Sequence, residues 1–143
     1  MNSLKLENQL CFPLYAASKE IVRLYTPYLK DIDLTYTQYI TMMVLWDKEE
    51  INVKELGEKL FLDSGTLTPL LKKLENKGYV ERNRLSSDER NLIVKVTKKG
   101  LDLKELCKDI PSCVSGCINL SNDEVKILYS TLYKILSNVK EEK

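Results

Sequence analysis

The segment 52–97 constrains the fold most, because the spacing of its apolar residues changes from a helical period to an alternating one. Asn52 is a suitable N-cap for a short helix, whose apolar positions are Val53, Leu56 and Leu60. A second N-cap signal follows at Asp63 and Ser64, and Gly78 is placed to end the helix that begins there. Two short helices joined by a tight turn are what a helix-turn-helix motif requires.

The second of these helices contains a proline, which leaves its start open. Pro69 removes a backbone hydrogen bond if it lies in the middle of a helix. The helix therefore either begins at the cap signal of Asp63 and Ser64 and runs through Pro69, or starts later with Thr68 as its cap. Its apolar stripe is formed by Leu67, Leu70, Leu71 and Leu74.

Beyond Gly78 the pattern is that of strands. Residues 79–84 form one plausible strand, and residues 92–97 are rich in β-branched side chains and alternate in polarity. The polar residues 86–91 between them predict a loop. The expected fold class is therefore mainly α with a small two-stranded β-hairpin wing, that is, a winged helix-turn-helix.

Helices are also predicted before this segment. Residues 9–30 carry apolar side chains at helical spacing, and Pro13 fits only a first turn, which places the start near residues 10–12. A further helix over residues 37–48 is expected to be capped by Thr37.

After the wing the helical pattern returns. A helix is predicted from Lys98 to Ile110, where Pro111 breaks it, and Ser121 is expected to cap the last helix. That last helix has an apolar stripe of Val125, Leu128, Tyr129, Leu132, Leu136 and Val139.

The first and last helices carry more apolar surface than a small winged-helix core covers. They pack either on each other or against a second copy of the chain, and the second arrangement is favoured. We expect a single domain over 1–143, in which residues 1–34 and 111–143 are dimerisation helices and residues 35–110 form the DNA-binding region.

Composition narrows the class of protein. The chain has 143 residues, a net charge of +1, four cysteines and no histidine. Without histidine, Ser-His-Asp and Cys-His catalysis and most catalytic zinc sites are excluded, so neither an enzyme nor a cofactor is expected. No apolar run approaches the roughly 20 residues of a membrane span, and the N-terminus lacks a signal peptide, so we expect a cytoplasmic protein that does not bind membranes.

Net charge does not favour DNA binding, so that inference depends on where polar side chains lie. In a helix-turn-helix the second helix enters the major groove. Its outward residues are Ser64, Thr66, Thr68, Lys72 and Lys73, which can contact bases and phosphates. Arg84 and Arg90 at the wing suit a narrow minor groove, with Asp88 able to pair with Arg90. The alternative is an ordinary solvated surface.

The same segment resembles a known family. The run LDSGTLTPLLKKLENKGYVER, followed by SDERN, is similar to the MarR family of winged-helix regulators. The resemblance implies a homodimer, joined by its N- and C-terminal helices, that binds a pseudo-palindromic DNA operator. It also favours the long helix through Pro69, because family members tolerate a proline there.

The N-terminal run LENQLCF, together with Tyr25 and the run TYTQY, resembles the organic-hydroperoxide-sensing, OhrR-like branch of that family. The resemblance implies that organic hydroperoxide oxidises Cys11, that Tyr25 and Tyr36 hydrogen-bond its sulfur, and that the repressor then leaves its operator. Independently, a position in the first helical turn stabilises a thiolate at Cys11, which is the form that attacks peroxides.

Helix geometry adds a constraint on this sensor. Tyr25 lies 14 positions beyond Cys11, which corresponds to about 21 Å along one helix. A tyrosine that serves the cysteine should therefore belong to the partner subunit.

The resemblance leaves the fate of the oxidised cysteine open. Some members of the branch use the sensing cysteine alone, whereas others form a disulfide with a resolving cysteine near the start of the last helix. We favour Cys117 as the resolving residue, with Cys113 second, and expect Cys107 to be a buried structural residue.

Three other functions compete with hydroperoxide sensing. The first is a MarR-type repressor that binds a small phenolic ligand. The second is a metal sensor using the thiolates of Cys107, Cys113 and Cys117, although no metal is favoured because histidine and a CxxC pair are absent. The third is a thiol peroxidase, which would give the wing and the recognition helix no purpose.

Overall fold

The computed structural model describes residues 3–84 and 92–141, and helices dominate in both stretches. A 3-10 helix at Leu6–Asn8 precedes α1 (Cys11–Lys30), α2 (Tyr36–Lys48), β1 (Glu50–Asn52), α3 (Val53–Leu60), α4 (Ser64–Asn76), β2 (Val80–Arg84), β3 (Leu92–Val96), α5 (Lys98–Cys107), α6 (Ile110–Ile118) and α7 (Asn122–Glu141). The chain divides into two compact units, Met1–Ile110 and Pro111–Lys143, which are described separately.

The first two helices begin for local reasons. Helix α1 starts at Cys11, inside the predicted range, with Pro13 in its first turn. The predicted cap of α2 was wrong, because Thr35 rather than Thr37 takes that position. The Thr35 hydroxyl accepts a hydrogen bond from the Gln38 amide, and the Gln38 side chain accepts one from the Thr35 amide. This reciprocal pair satisfies two backbone donors and favours the earlier start.

The helix-turn-helix forms as its caps predict. The Asn52 side chain accepts a hydrogen bond from Lys54 at 2.8 Å, and the Asp63 side chain accepts one from Thr66 at 2.7 Å. Of the two predicted starts, α4 has the earlier one, so the helix runs through Pro69. Gly78 follows its C-cap with φ of 84°, a conformation that favours glycine over residues with a Cβ atom.

The sheet has one strand more than the predicted two-stranded wing. Strand β3 lies between β1 and β2 and pairs antiparallel with both. Ile51 of β1 is opposite Val94, and Val80 of β2 is opposite Val96. Strand β1 spans three residues with one buried side chain, which is too short to show alternation in the sequence.

The core of the first unit is built around α2. Tyr39, Met42 and Leu45 on this helix are at most 2% exposed. Helix α2 contacts α1, α3, α4, α5, β1 and β3, so it joins the N-terminal helix to the DNA-reading motif. It also approaches α5 closely, because the Trp46 indole N–H donates to the Gly100 carbonyl at 2.8 Å.

Around Pro111 the sequence prediction was wrong. Helix α5 ends at Cys107, and a separate helix, α6, begins at Ile110 with Pro111 as its second residue. Proline is favoured at the start of a helix because its missing N–H has no helical partner there. Ser121 caps α7 as predicted, in a reciprocal pair with Glu124.

The apolar stripe predicted for α7 is exposed in the single chain. Val125, Tyr129 and Val139 are 49%, 63% and 54% accessible. Among the described helices, none has the combination of length and apolar character that crossing a membrane requires.

Candidate nucleic-acid interface and redox site

The outward face of α4 carries the side chains predicted to read DNA. Ser64, Thr66, Thr68, Lys72 and Lys73 are all exposed. The opposite face is buried and consists of Leu67, Leu70, Leu71 and Leu74. The helix therefore presents hydroxyl and ammonium groups to solvent while its leucines fix its orientation.

An ion pair fixes the wing strand to this helix. The Arg82 guanidinium on β2 donates to Glu75 on α4 at 3.0 Å, and the Arg82 amide donates to the same carboxylate at 3.0 Å. The side-chain hydrogen bond from Arg82 lowers the pKa of Glu75. Arg84 is exposed at the end of β2, whereas Asp88 and Arg90 lie outside the described residues.

Cys11 is exposed at the first position of α1, a helix of 20 residues. Its neighbours Leu10 and Phe12 are 85% and 42% exposed. The thiol is therefore placed where a second molecule has access.

The structure brings Tyr25 and Tyr36 together. Their ring centroids are 4.9 Å apart, and Tyr39 lies 5.7 Å from Tyr25. Burial raises the pKa of both Tyr25 and Tyr36, and the neighbouring Tyr25 adds to the shift at Tyr36. The two phenols therefore stay protonated at neutral pH and can donate hydrogen bonds to an anion.

Sequence reasoning missed the rest of this aromatic cluster. Burial, followed by the effect of Tyr25, raises the pKa of Tyr39 to about 12. Trp46 continues the cluster, with its ring centroid 6.4 Å from that of Tyr39. The spacing of Tyr36 and Tyr39, three positions apart on one helix, was the available signal.

Cys11 and Tyr25 lie on one continuous helix, since Pro13 is in its first turn and the interior proline, Pro27, lies beyond both. Their separation along the helix is thus about 21 Å. The geometry does not bring the cysteine to the tyrosines of its own chain.

The other cysteines divide into one buried and two exposed thiols. Cys107 on α5 is 3% exposed, as expected, and burial raises the pKa of its thiol. Cys113 and Cys117 on α6 are exposed. Within residues 3–84 and 92–141, no three cysteine or acidic side chains are arranged to hold a metal ion.

An open cavity of about 770 Å³ lies beside Tyr36. Its walls come from α1, α2, the turn between them and the end of α4, and include Lys73 and Lys77. The Lys77 ammonium pairs with Asp33 of that turn, 3.4 Å from its carboxylate. The cavity therefore borders both Tyr36 and the C-terminal end of α4.

Comparisons with known proteins agree with this architecture. A family model described as "Transcriptional regulator SarA/Rot" matches residues 23–106. The Organic hydroperoxide resistance transcriptional regulator of Bacillus subtilis is 44% identical over 139 residues, covering 97% of this chain and 95% of the relative.

Two similar proteins have been solved on DNA. Reduced AbfR bound to DNA, a Staphylococcus epidermidis protein, is 36% identical, covers 94% of each chain and superposes with a TM-score of 0.76. A cysteine-to-serine mutant of Escherichia coli MarR, complexed with operator DNA, is 30% identical, covers 89% of this chain and 93% of its own, and has a TM-score of 0.74. AbfR is also known in a disulfide-formed state, 35% identical over 92% of each chain with a TM-score of 0.65.

Proposed function

Because this chain belongs to the MarR family of winged-helix transcriptional regulators, in its OhrR-like branch, we propose that it is a homodimeric repressor that releases DNA when organic hydroperoxide oxidises Cys11. The observation that carries the proposal is the exposed Cys11 at the start of α1, together with the paired phenols of Tyr25 and Tyr36. A regulator of DNA in the cytoplasm, rather than an enzyme, is the function these features favour.

The oxidation needs only the hydroperoxide and a proton. The Cys11 thiolate attacks one peroxide oxygen, the O–O bond breaks, and the sulfur becomes a sulfenic acid. The leaving alkoxide takes up a proton and departs as an alcohol. Two electrons pass from sulfur to the peroxide, so no metal or organic cofactor is required.

Tyr25 and Tyr36 of the partner subunit serve as hydrogen-bond donors to the Cys11 thiolate. Burial raises the pKa of both phenols, so they remain protonated donors across the physiological pH range. The loss of the thiolate on oxidation removes their anionic acceptor. Oxidation of Cys11 in one subunit therefore changes the hydrogen bonds made by the tyrosines of the other subunit. These tyrosines lie on or next to α2, the helix that contacts α4.

A second copy of the chain covers the exposed apolar stripes of the first and last helices. Phe12, Leu14 and Tyr15 on α1 are 42%, 41% and 59% accessible, and the α7 stripe is similarly open. Surfaces of this extent at both ends of a small chain are typical of a subunit interface. Residues 1–34 and 111–143 accordingly form the dimerisation region, and residues 35–110 form the DNA-binding region.

In the dimer the two α4 helices enter successive major grooves of a pseudo-palindromic operator. Thr66 and Thr68 contact base edges, while Lys72 and Lys73 neutralise phosphates. Ser64 at the start of α4 contacts the DNA backbone and so positions the helix in the groove. Arg84, Asp88 and Arg90 form the wing contact with the adjacent minor groove.

For the oxidised state we favour a disulfide between Cys11 and Cys117, with Cys113 as the second choice. The resolving thiol attacks the sulfenic sulfur of Cys11, the S–O bond breaks and water leaves. Both α6 thiols are exposed, whereas the buried Cys107 is poorly placed for such exchange. A non-reducing gel of the oxidised protein tests this. A linked dimer that persists when Cys113 and Cys117 are both replaced by serine excludes both residues.

A second candidate function is a repressor controlled by a small phenolic ligand. The cavity beside Tyr36 favours it, because lysine side chains at its wall suit a carboxylate-bearing aromatic compound. In that case salicylate should release the Cys11→Ser variant from the operator.

The deciding experiment measures operator binding by fluorescence anisotropy, before and after cumene hydroperoxide. The wild type and a Cys107→Ser control should lose affinity, whereas Cys11→Ser should stay bound. Equal release of Cys11→Ser by hydroperoxide contradicts the sensor assignment. Release by salicylate alone supports the second candidate instead.

A further inference from the structure

Two thiols lie one helical turn apart on α6. Cys113 and Cys117 are four positions apart, inside the helix Ile110–Ile118, and both are exposed. Residues with this spacing lie on the same face of a helix, whereas residues two positions apart do not. The helix therefore presents its two cysteines side by side.

The spacing suits a bridging atom better than a direct disulfide. Cβ atoms at positions i and i+4 of a helix are about 5–6 Å apart. A disulfide requires about 3.5–4.5 Å between Cβ atoms, so closing one here would distort the helix. One atom that binds both sulfurs at roughly 2.3 Å, the length of a zinc–thiolate bond, spans the wider gap without distortion.

The number of available ligands determines which element can bridge the two sulfurs. A structural zinc ion requires four ligands, and the described residues offer no group of three cysteines or carboxylates. Trivalent arsenic that carries one organic substituent needs only two thiolates. Such a compound finds its complete ligand set in Cys113 and Cys117.

Both thiols are accessible in the single chain. A Cβ atom built on Gly116, beside Cys117, would meet nothing within 4 Å beyond its chain neighbours and its own helix backbone. The Ser115 hydroxyl is turned to the Ser112 carbonyl at 3.1 Å. Val114 on the same helix is 1% exposed, whereas Cys113 and Cys117 are themselves both exposed.

We propose that Cys113 and Cys117 form a dithiol site for trivalent organoarsenicals. With phenylarsine oxide, each thiol gives up its proton, two As–S bonds form, and the oxide oxygen leaves as water. No oxidation state changes, so neither an oxidant nor a reductant is needed. The site uses the two thiols proposed as resolving residues, but it goes beyond hydroperoxide sensing because it needs neither Cys11 nor the operator.

The test treats the intact, reduced protein with one equivalent of phenylarsine oxide. Mass spectrometry should show one added phenylarsenic group with two thiol hydrogens lost, and the free thiols should fall from four to two. A Cys11→Ser/Cys107→Ser variant should bind equally well. Cys113→Ser or Cys117→Ser should weaken binding at least about 100-fold, because bidentate capture is lost.

A relocated pair provides the matched control. Combining Cys117→Ser with Ser115→Cys keeps the number of thiols but places them two positions apart, on different faces of α6. This variant should bind as weakly as Cys117→Ser. Equal affinity of the relocated pair, no adduct on the wild type, or an adduct that requires Cys11 would overturn the proposal. None of these results depends on hydroperoxide sensing.

Discussion

The rings of Tyr25 and Tyr36 lie 4.9 Å apart, although one belongs to the last turns of α1 and the other begins α2. The turn between the helices is tight, and Asp33 within it has φ of 54°. The Thr35 capping box then fixes where α2 starts, and with it the position of Tyr36. Local capping chemistry thus brings together two phenols that lie eleven positions apart.

Removing these phenolic hydroxyls should slow the oxidation of Cys11. Tyr25→Phe and Tyr36→Phe should each lower the rate of reaction with cumene hydroperoxide about 10-fold, since a hydrogen bond to a charged group contributes about 1.5 kcal/mol. The rate is measured as the trapping of sulfenic acid by dimedone. Tyr28→Phe, on the same helix, is the control, and an equal effect in that variant would count against a specific role.

Adding a methyl group at Gly100 should destabilise the first unit. A Cβ atom there would lie 2.3 Å from the Tyr79 carbonyl oxygen and 2.7 Å from Val96. We expect Gly100→Ala to lower the free energy of unfolding by about 1–3 kcal/mol, measured in urea. Gly116→Ala, in an open helical position, should instead leave stability unchanged or raise it by up to about 1 kcal/mol. A tolerated Gly100→Ala would show that α5 does not pack as described.

Replacing Lys72 should weaken operator binding in a salt-dependent way. If its ammonium neutralises one phosphate, Lys72→Ala should reduce the slope of log affinity against log salt by about 1 for each subunit. Titrations at several salt concentrations provide the slope. Lys104→Ala, an exposed lysine on α5, serves as the control, and an unchanged slope for Lys72→Ala would remove this residue from the interface.

The Glu75–Arg82 pair should make stability depend on acid pH. Because the hydrogen bond from Arg82 lowers the pKa of Glu75, the pair stabilises the fold above the ordinary carboxyl value of 4.5 and loses that effect as the pH falls through the folded pKa. Glu75→Gln should cost about 0.5 kcal/mol at neutral pH, and less in acid. A cost that is constant with pH would contradict the ion pair.

The helix-turn-helix could be predicted because its signals are local. The caps Asn52 and Asp63 and the terminator Gly78 act within a few residues of themselves. Strand β1 could not be predicted in this way, because Ile51 is buried only through pairing with Val94, more than forty positions away. Its formation is decided by tertiary contact and not by propensity.

The placement of the candidate redox residues could be predicted in part. The position of Cys11 at a helix start followed from the proline two residues later, whereas its partnership with Tyr25 and Tyr36 is implied by the resemblance and stays a prediction. The contribution of Tyr39 could not be read from spacing alone, since its ring meets that of Tyr25 across the packed faces of α1 and α2. Trp46 lies on the same helix as Tyr39, but its indole is held by the Gly100 carbonyl of α5. The cavity beside Tyr36 is likewise a product of tertiary packing.

In the proposed dimer, the tyrosines of one subunit donate hydrogen bonds to Cys11 of the other. Mixed dimers test it directly. One subunit carries Cys11→Ser, and its partner carries Tyr25→Phe with Tyr36→Phe; the two are co-expressed with different tags and purified through both. The one Cys11 left in such a dimer belongs to the chain without these tyrosines.

The measurement is the rate at which this Cys11 forms sulfenic acid with cumene hydroperoxide, compared with the wild type and with the homodimeric tyrosine variant. We expect the wild-type rate per remaining cysteine, because the Cys11→Ser subunit supplies both intact tyrosines across the interface. A rate as slow as that of the tyrosine variant would contradict it, since it would place the tyrosines and the cysteine within one chain.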